Sequence, residues 1–260
     1  MEQHPGDAVR IVEQLAGEDR SALIQSLKPE IAAGILQAMT PADAVSCIAL
    51  MTPVQSIPVL KCLSPNFAAG CMRRLTAELR RDILTQAGRN NDLKNVRTLL
   101  TFPPDVAGAV MDPETAAIQE QMSCAEAVAF AKRHPDKLRN IIYVVNGENV
   151  LVGLLEARDL LILKDKTPIN SVMKPIQYRL NGRAYLQTAR DNPGWEYCDD
   201  LPVVDYHGTY LGSLNRENFL QALAEIEVGS SHGDQPKEIL LGLAETFLNT
   251  CSEFLFPRRK

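Results

Sequence analysis

The chain is short of the residues that most often announce a chemistry. Its four histidines, His4, His134, His207 and His232, have no ligand spacing, which argues against a structural zinc site. Its six cysteines, at 47, 62, 71, 124, 198 and 251, include no Cys-x-x-Cys pair. Scattered thiols belong to a reducing compartment, so a cytoplasmic setting without disulfides is expected, with Cys47, Cys62 and Cys71 packing as small apolar groups. Aromatic residues make up 5% of a chain of net charge −5, and no aromatic platform interleaves with the basic residues, so nucleic acid is not an expected partner. No glycine-rich phosphate loop and no Ser-His-Asp or Cys-His grouping is present, and the chain is not expected to be an enzyme. The pair Asp199-Asp200, next to Glu196, reads as a solvated loop rather than an acid–base site. The polar start, Met-Glu-Gln-His-Pro-Gly-Asp, has no apolar core behind it and is not a secretory leader. The longest uncharged run, Ala44 to Leu60, carries Pro53 and Pro58 and reads as buried short helices, not a membrane span.

What is present is a period of twelve. Lys28-Pro29, Thr40-Pro41, Thr52-Pro53, Ser64-Pro65 and Thr76-Ala77 recur at that spacing. A hydroxyl side chain can accept from the first free N–H groups of a helix, and proline at the next position loses no hydrogen bond. Position +8 of each unit holds Leu36, Ile48, Leu60, Met72 and Leu84, and position +11 holds Met39, Met51, Leu63, Leu75 and Ala87. A unit this short leaves about nine residues of helix, unstable alone in water. Residues 1–100 are therefore expected to form a superhelix whose helices persist by stacking +8 and +11 side chains on their neighbours. This region has a net charge of +1 and the remainder −6. Arg73, Arg74, Arg80, Arg81 and Arg89 cluster at the join, either as a solvated face or as a surface that docks the acidic half or a protein partner.

Beyond Leu99-Leu100-Thr-Phe-Pro-Pro-Asp105-Val-Ala-Gly108-Ala-Val-Met111 the pattern changes. Ser123 and Glu126 form a capping box for a helix over Cys124–Arg133. Asn140–Val145 and Val150–Leu155 read as strands joined by an Asn-Gly turn, followed by a helix over 158–163 and Pro168-Ile-Asn-Ser-Val-Met-Lys-Pro175. A looser copy follows: a helix over 185–190, strands over 200–205 and 210–214 around a Gly208 turn, and a helix over 216–227.

The stretches Tyr-Val-Val-Asn-Gly…Leu-Val-Gly-Leu-Leu-Glu-Ala-Arg-Asp-Leu-Leu and Leu-Pro-Val-Val-Asp…Leu-Gly-Ser-Leu resemble tandem CBS domains. Short-helix repeats, then Pro-Asp105-Val-Ala-Gly108-Ala-Val-Met111-Asp-Pro-Glu, then paired units are similar to the cytosolic part of MgtE-type magnesium channels. The resemblance, which covers about residues 10–228, implies an N-terminal α-superhelix over 1–100, a first CBS domain over 101–175 and a second, degenerate one over 176–228; beyond it, residues 229–260 read as a linker plus an amphipathic C-terminal helix. That last segment carries Leu240, Leu243, Ala244, Phe247, Leu248, Cys251 and Leu255 on one stripe, interrupted by Glu238, Glu245 and Glu253, and is too polar to span a bilayer. A homodimer through the CBS pair is implied.

Two ligand classes follow from the resemblance. In CBS pairs a Gly-h-h-Thr/Ser-x-x-Asp pattern binds adenine nucleotides. Here it reads Gly153-Leu-Leu-Glu156-Ala-Arg158-Asp159, keeping the ribose-type acid but placing a carboxylate where a hydroxyl belongs. The second copy reads Gly212-Ser-Leu-Asn215-Arg216-Glu-Asn218 and loses both. Asp159 could equally cap its own helix. Magnesium sensing in the family needs two acidic faces close together. Glu217, Glu225 and Glu227 are the available ligands, yet the first domain is net positive and offers arginines instead, so weakened or lost sensing of Mg2+ is expected. The leading expectation is a regulatory and interaction protein without transport of its own. The alternatives are a Mg2+ sensor acting on a separate channel and an adenine-nucleotide-binding CBS regulator.

Overall fold

The computed structural model describes residue 12 and residues 15–88, 92–137 and 139–226. Seven helices come first: α1 (Gly17–Ser26), α2 (Pro29–Ala38), α3 (Pro41–Ala49), α4 (Pro53–Cys62), α5 (Pro65–Arg74), α6 (Ala77–Gly88) and α7 (Lys94–Leu100). Proline opens α2 to α5. Thr40 accepts from the Asp43 N–H at 3.2 Å, and the Gln55 side chain accepts from the Thr52 N–H at 2.9 Å. Ser64 makes no such cap, so proline alone pre-sets the start of α5. Each helix packs more against the second helix along than against the next, so α1 stacks on α3, α2 on α4, and so on to α7. The structural repeat is thus twice the sequence repeat.

Leu36, Ile48, Leu60 and Met72 at position +8 are fully buried, and Met39, Leu63 and Leu75 at +11 leave their helices in extended conformation and turn into the core. In the last unit Ile83 takes the buried place expected for Leu84, which is only partly covered. Position +4 holds Ala32, Ala44, Ser56 and Ala68, all with no exposed surface. Small side chains there let alternate helices approach closely, a requirement the apolar periodicity did not reveal. Cys47 and Cys71 pack in this core, but Cys62 is exposed, contrary to expectation.

Two β-α-β-β-α units follow. The first comprises β1 (Ala117–Gln119), α9 (Cys124–Arg133), β2 (Ile141–Val145), β3 (Leu151–Glu156) and α10 (Asp159–Ile162), after a single helical turn, α8 (Ala107–Val110). The second comprises β4 (Leu180–Asn181), α11 (Leu186–Ala189), β5 (Asp200–Val204), β6 (Tyr210–Asn215) and α12 (216–226). Each sheet pairs its first strand parallel and its last antiparallel to the middle one. Val144 faces Gly153 and Val203 faces Gly212, with a bulge at the next residue of each, so the units superpose position for position.

The connecting arms cross. Residues 168–174 bridge to Ser123 and Leu154 of the first unit, whereas 106–112 bridge to Tyr185 and Ser213 of the second. Gly108 donates to the Gly182 carbonyl at 2.8 Å, and a Cβ there would lie 2.6 Å from the Phe102 ring, so only glycine permits this approach. The superhelix and the second unit consequently share one hydrophobic core, running from Ile24 through Leu99 and Met111 to Trp195, Val203 and Phe219. The first unit has its own core around Ile118, Val144 and Leu155. The two units meet through a separate cluster of Tyr143, Val145, Leu151, Val204 and Tyr210.

Candidate functional site

Strand alternation decides what lies between the units. In β5, Leu201 and Val203 enter the shared core, leaving Asp200, Pro202 and Val204 on the face toward the first unit, where Ile141, Tyr143 and Val145 occupy the matching positions of β2. The two hairpin tips pair: Leu151 donates to the Gly208 carbonyl at 3.0 Å, and Tyr210 donates to the Asn149 carbonyl at 2.9 Å.

Beside this contact is a cleft of about 350 Å³ lined by Ile141, Tyr143, Leu154, Lys174, Tyr178, Tyr197, Asp200 and Pro202 among others, so both units contribute to its wall. Tyr178 and Tyr197 stack with centroids 5.6 Å apart and planes within 2°. Near Lys174 stands the charged cluster expected from the first Gly-h-h-x-x-x-Asp copy. Its Nζ lies 2.7 Å from Glu156 and 3.6 Å from Asp159, and the Glu156 hydrogen bond holds the ammonium's pKa above its ordinary value. Arg158, largely exposed, pairs with the other oxygen of Glu156. The Asp159 carboxylate accepts from the Glu156 N–H at 3.2 Å, bracing the turn before α10 rather than capping the helix end. Gly153 sits in β3, where Met173 and Lys174 pass over it. A volume near 350 Å³ walled by aromatic rings, with charged groups at one end, suits a base and sugar with a polar tail.

The matching positions of the second unit are filled. Arg139 lies between Asp112, at 2.8 Å, and Asp200, at 3.2 Å. Ser213 donates to the Thr115 hydroxyl at 3.0 Å, and Tyr210 donates to the Thr115 carbonyl at 3.3 Å. Tyr143 donates to the Asp200 carbonyl at 3.0 Å, and its ring lies 5.5 Å from that of Tyr210, tilted by 40°. Asp200 is 9% exposed, and neither carboxylate oxygen has an aligned hydrogen-bond donor. Burial outweighs the nearby guanidinium, which is committed more closely to Asp112, and lifts the Asp200 pKa to about 6. The solvated-loop reading of Asp199-Asp200 therefore holds for Asp199 alone, whose side chain is exposed. Asn215 and Asn218 form a helix cap: the Asn218 N–H donates to the Asn215 side chain at 2.8 Å. Arg216 donates to the Trp195 carbonyl at 3.0 Å.

The other expected residues separate. Arg73 donates to the Leu99 carbonyl at 2.7 Å and Arg80 to the Arg73 carbonyl at 3.2 Å, so both brace the superhelix, Arg80 from the wall of a surface groove. Burial holds the Arg73 pKa below its ordinary value. Arg74 pairs with Glu225 of α12 at 3.5 Å, across the join to the second unit. Arg81 is exposed, and with Arg80, Leu84, Thr85 and Arg97 it lines a groove of about 460 Å³. Glu217 is exposed, Glu225 is engaged by Arg74, and no group of three His, Cys, Asp or Glu side chains suited to a metal occurs among the described residues. Arg89, Glu227 and the 229–260 segment lie outside the described residues. No described helix is long and apolar enough to cross a membrane.

Sequence reasoning missed Lys174, Asp112, Arg139 and the tyrosines. One signal was available: Val110-Met-Asp-Pro113 repeats as Val172-Met-Lys-Pro175. These are the two crossed arms, and their third residues, Asp112 and Lys174, hold equivalent places.

The family model described as the MgtE intracellular N domain matches residues 3–105, and the CBS domain model matches 106–165. The chain has the domain make-up of the MgtE cytosolic region. The magnesium transporter MgtE of Thermus thermophilus is 30% identical over 131 residues, and that of Enterococcus faecalis 27% identical over 134. Each match covers 49% of this chain and 29% of the relative, so the aligned MgtE-like part spans under a third of those proteins. Among solved structures, the cytosolic domain of the Mg2+ channel MgtE in complex with ATP has 25% identity and a TM-score of 0.68, covering 85% of this chain and 90% of that one. The soluble part of a magnesium transporter, 20% identical, has the same fold at a TM-score of 0.70, covering 86% and 89%.

Proposed function

We propose that this chain is a cytoplasmic regulatory module that binds an adenine nucleotide in the cleft beside Tyr143, Lys174 and Tyr178 and passes that occupancy to a docked partner. In this reading its role is regulation rather than catalysis. The observation that carries the reading is the aromatic-walled cleft lined by Lys174, whose ammonium lies 3.6 Å from Asp159, in an architecture whose solved relative was obtained with ATP. Tyrosine rings supply base-stacking surface, Asp159 supplies an acceptor for sugar hydroxyls, and Lys174 and Arg158 supply cations that can turn from Glu156 toward phosphate. Thermal-shift and calorimetric measurements with AMP, ADP, ATP and an S-adenosyl compound test this. A saturable shift with at least one of them, lost in Tyr178→Ala, is expected; no shift with any of them refutes the reading.

Two interaction surfaces belong to the same proposal. Leu161 and Ile162 on α10 are 84% and 81% exposed, and Leu220, at the equivalent place on α12, is 51% exposed. Adjacent exposed apolar side chains on matching helices favour a second copy as occupant. Leu161→Asp is expected to convert a dimer to a monomer in light scattering, and a wild type that is already monomeric contradicts the assignment. The groove around Arg80, Arg81 and Arg97 is the surface for a separate protein partner. Divalent-cation sensing is the weaker reading. The superhelix is joined to the second unit by common core packing, and Arg74 already supplies a positive charge opposite Glu225.

A further inference from the structure

Asp112, Arg139 and Asp200 come from three separately packed pieces. Asp112 ends the arm leading from the superhelix, Arg139 precedes β2 of the first unit, and Asp200 opens β5 of the second. The superhelix and second unit form one core, and the first unit has another, so this cluster lies on the seam between two bodies. The arm is laced to the second unit beside it: Asp112 donates to the Ser213 carbonyl at 2.6 Å and accepts from the Ser213 N–H at 3.1 Å. Arg139 is the group that reaches across. Apart from the hairpin-tip pairing and the Tyr143–Tyr210 cluster, it is the ionic tie from the first unit to that block among the described residues.

We propose that the Asp112–Arg139–Asp200 cluster is a proton-sensitive latch that fixes the first CBS unit against the superhelix–second-unit block. The groups facing the Asp200 carboxylate are Arg139 from the first unit, Asp112 from the arm, Tyr143 from β2 and Tyr210 and Ser213 from β6, with Cys198 just ahead of β5. Both tyrosines and Cys198 are pushed toward their neutral forms, chiefly by burial, and so contribute no charge near neutrality. When the bodies separate, Asp200 meets water and regains an ordinary carboxylate affinity for protons. Its proton affinity is higher in the closed state, where its pKa is about 6. By linkage, closure strengthens as pH falls below that value toward the ordinary carboxylate range, and that gain is absent above it. Arg139 lowers, and Asp112 raises, the proton affinity of Asp200. The two partners must therefore move the switching pH in opposite directions.

The test is a pH series from 7.5 to 5.0 on the full chain, reading melting temperature and the protection factors of the Leu151 and Tyr210 amides, which bond across the seam, corrected for intrinsic exchange. Asp200→Asn removes the titrating group without changing its shape. The wild type is expected to gain melting temperature and protection as pH falls, with the gain setting in near the Asp200 value of about 6 and growing toward pH 5, and the variant to lose that gain. Arg139→Gln shifts the onset up and Asp112→Asn shifts it down; if the first fails to fold, the second still gives a signed result. Identical pH profiles for wild type and Asp200→Asn, or onsets that move in the reverse directions, overturn the latch.

Discussion

The two CBS units share strands, register and even the position of a bulge, yet one leaves a cleft and the other fills it. At matched positions the first unit places Ile141, Leu154, Glu156, Asp159 and, from its arm, Lys174; the second places Asp200, Ser213, Asn215, Asn218 and Asp112. The backbone frame thus supplies two sites, and side-chain chemistry decides which stays available. Beside the first, Glu156, Arg158, Asp159 and Lys174 pair with one another, and a cleft walled largely by aromatic and apolar side chains of both units stays open. In the second, two carboxylates draw Arg139 inward, and the asparagines are spent on starting α12.

Substitutions at matched positions test this contrast. The largest difference is expected at the paired glycines. Gly212 has φ of +153°, and a Cβ there would lie 2.3 Å from the Asp112 carbonyl oxygen. A backbone atom cannot yield as a side chain does, so Gly212→Ala is expected to cost on the order of 3 kcal/mol. At Gly153 the new Cβ meets the flexible Met173 side chain at 2.7 Å, and Gly153→Ala is expected to cost about 1–2 kcal/mol. Chemical denaturation of the two variants checks the order, and equal losses would erase the distinction.

The ion pairs come next. Arg139→Ala strands two carboxylates, one of them buried. Because the Arg139 side chain is itself 35% exposed, the expected loss is on the order of 2 kcal/mol rather than the larger cost of a fully buried pair. Lys174→Ala, at the exposed cluster of the first unit, is expected to leave stability unchanged within error while weakening nucleotide binding. The smallest effect is expected from Asn218→Asp. Restoring the acid in the second unit should create no second site while Arg139 fills the space, as calorimetric stoichiometry would report. Low-millimolar Mg2+ is likewise expected to leave the radius of gyration unchanged, and compaction measured by scattering would revive cation sensing.

Much of this architecture was legible in the chain because it rests on local chemistry. Prolines at helix starts, buried +8 side chains and Asn-Gly or Gly208 turns each act within a dozen residues. The rest depends on distant partners. β1 and β4 are only three and two residues long and exist because β2 and β5 offer free parallel edges. That 106–112 packs on the second unit rather than the first could not be read from its position in the chain. Arg139 carried no motif, and its importance arises only when Asp112 and Asp200 are brought to it from 27 and 61 residues away. The arginines at the join show the reverse: a conspicuous cluster that proves mostly internal, with Arg73 and Arg80 bracing carbonyls and Arg74 facing Glu225.

Isothermal titration of the full chain with ATP tests the central asymmetry most directly. One site per chain, abolished by Tyr178→Ala and retained in Asn218→Asp, is the predicted result. Two equivalent sites, or a single site that survives Tyr178→Ala but vanishes on Arg139→Ala, would place the ligand in the cleft assigned here as filled and contradict the account.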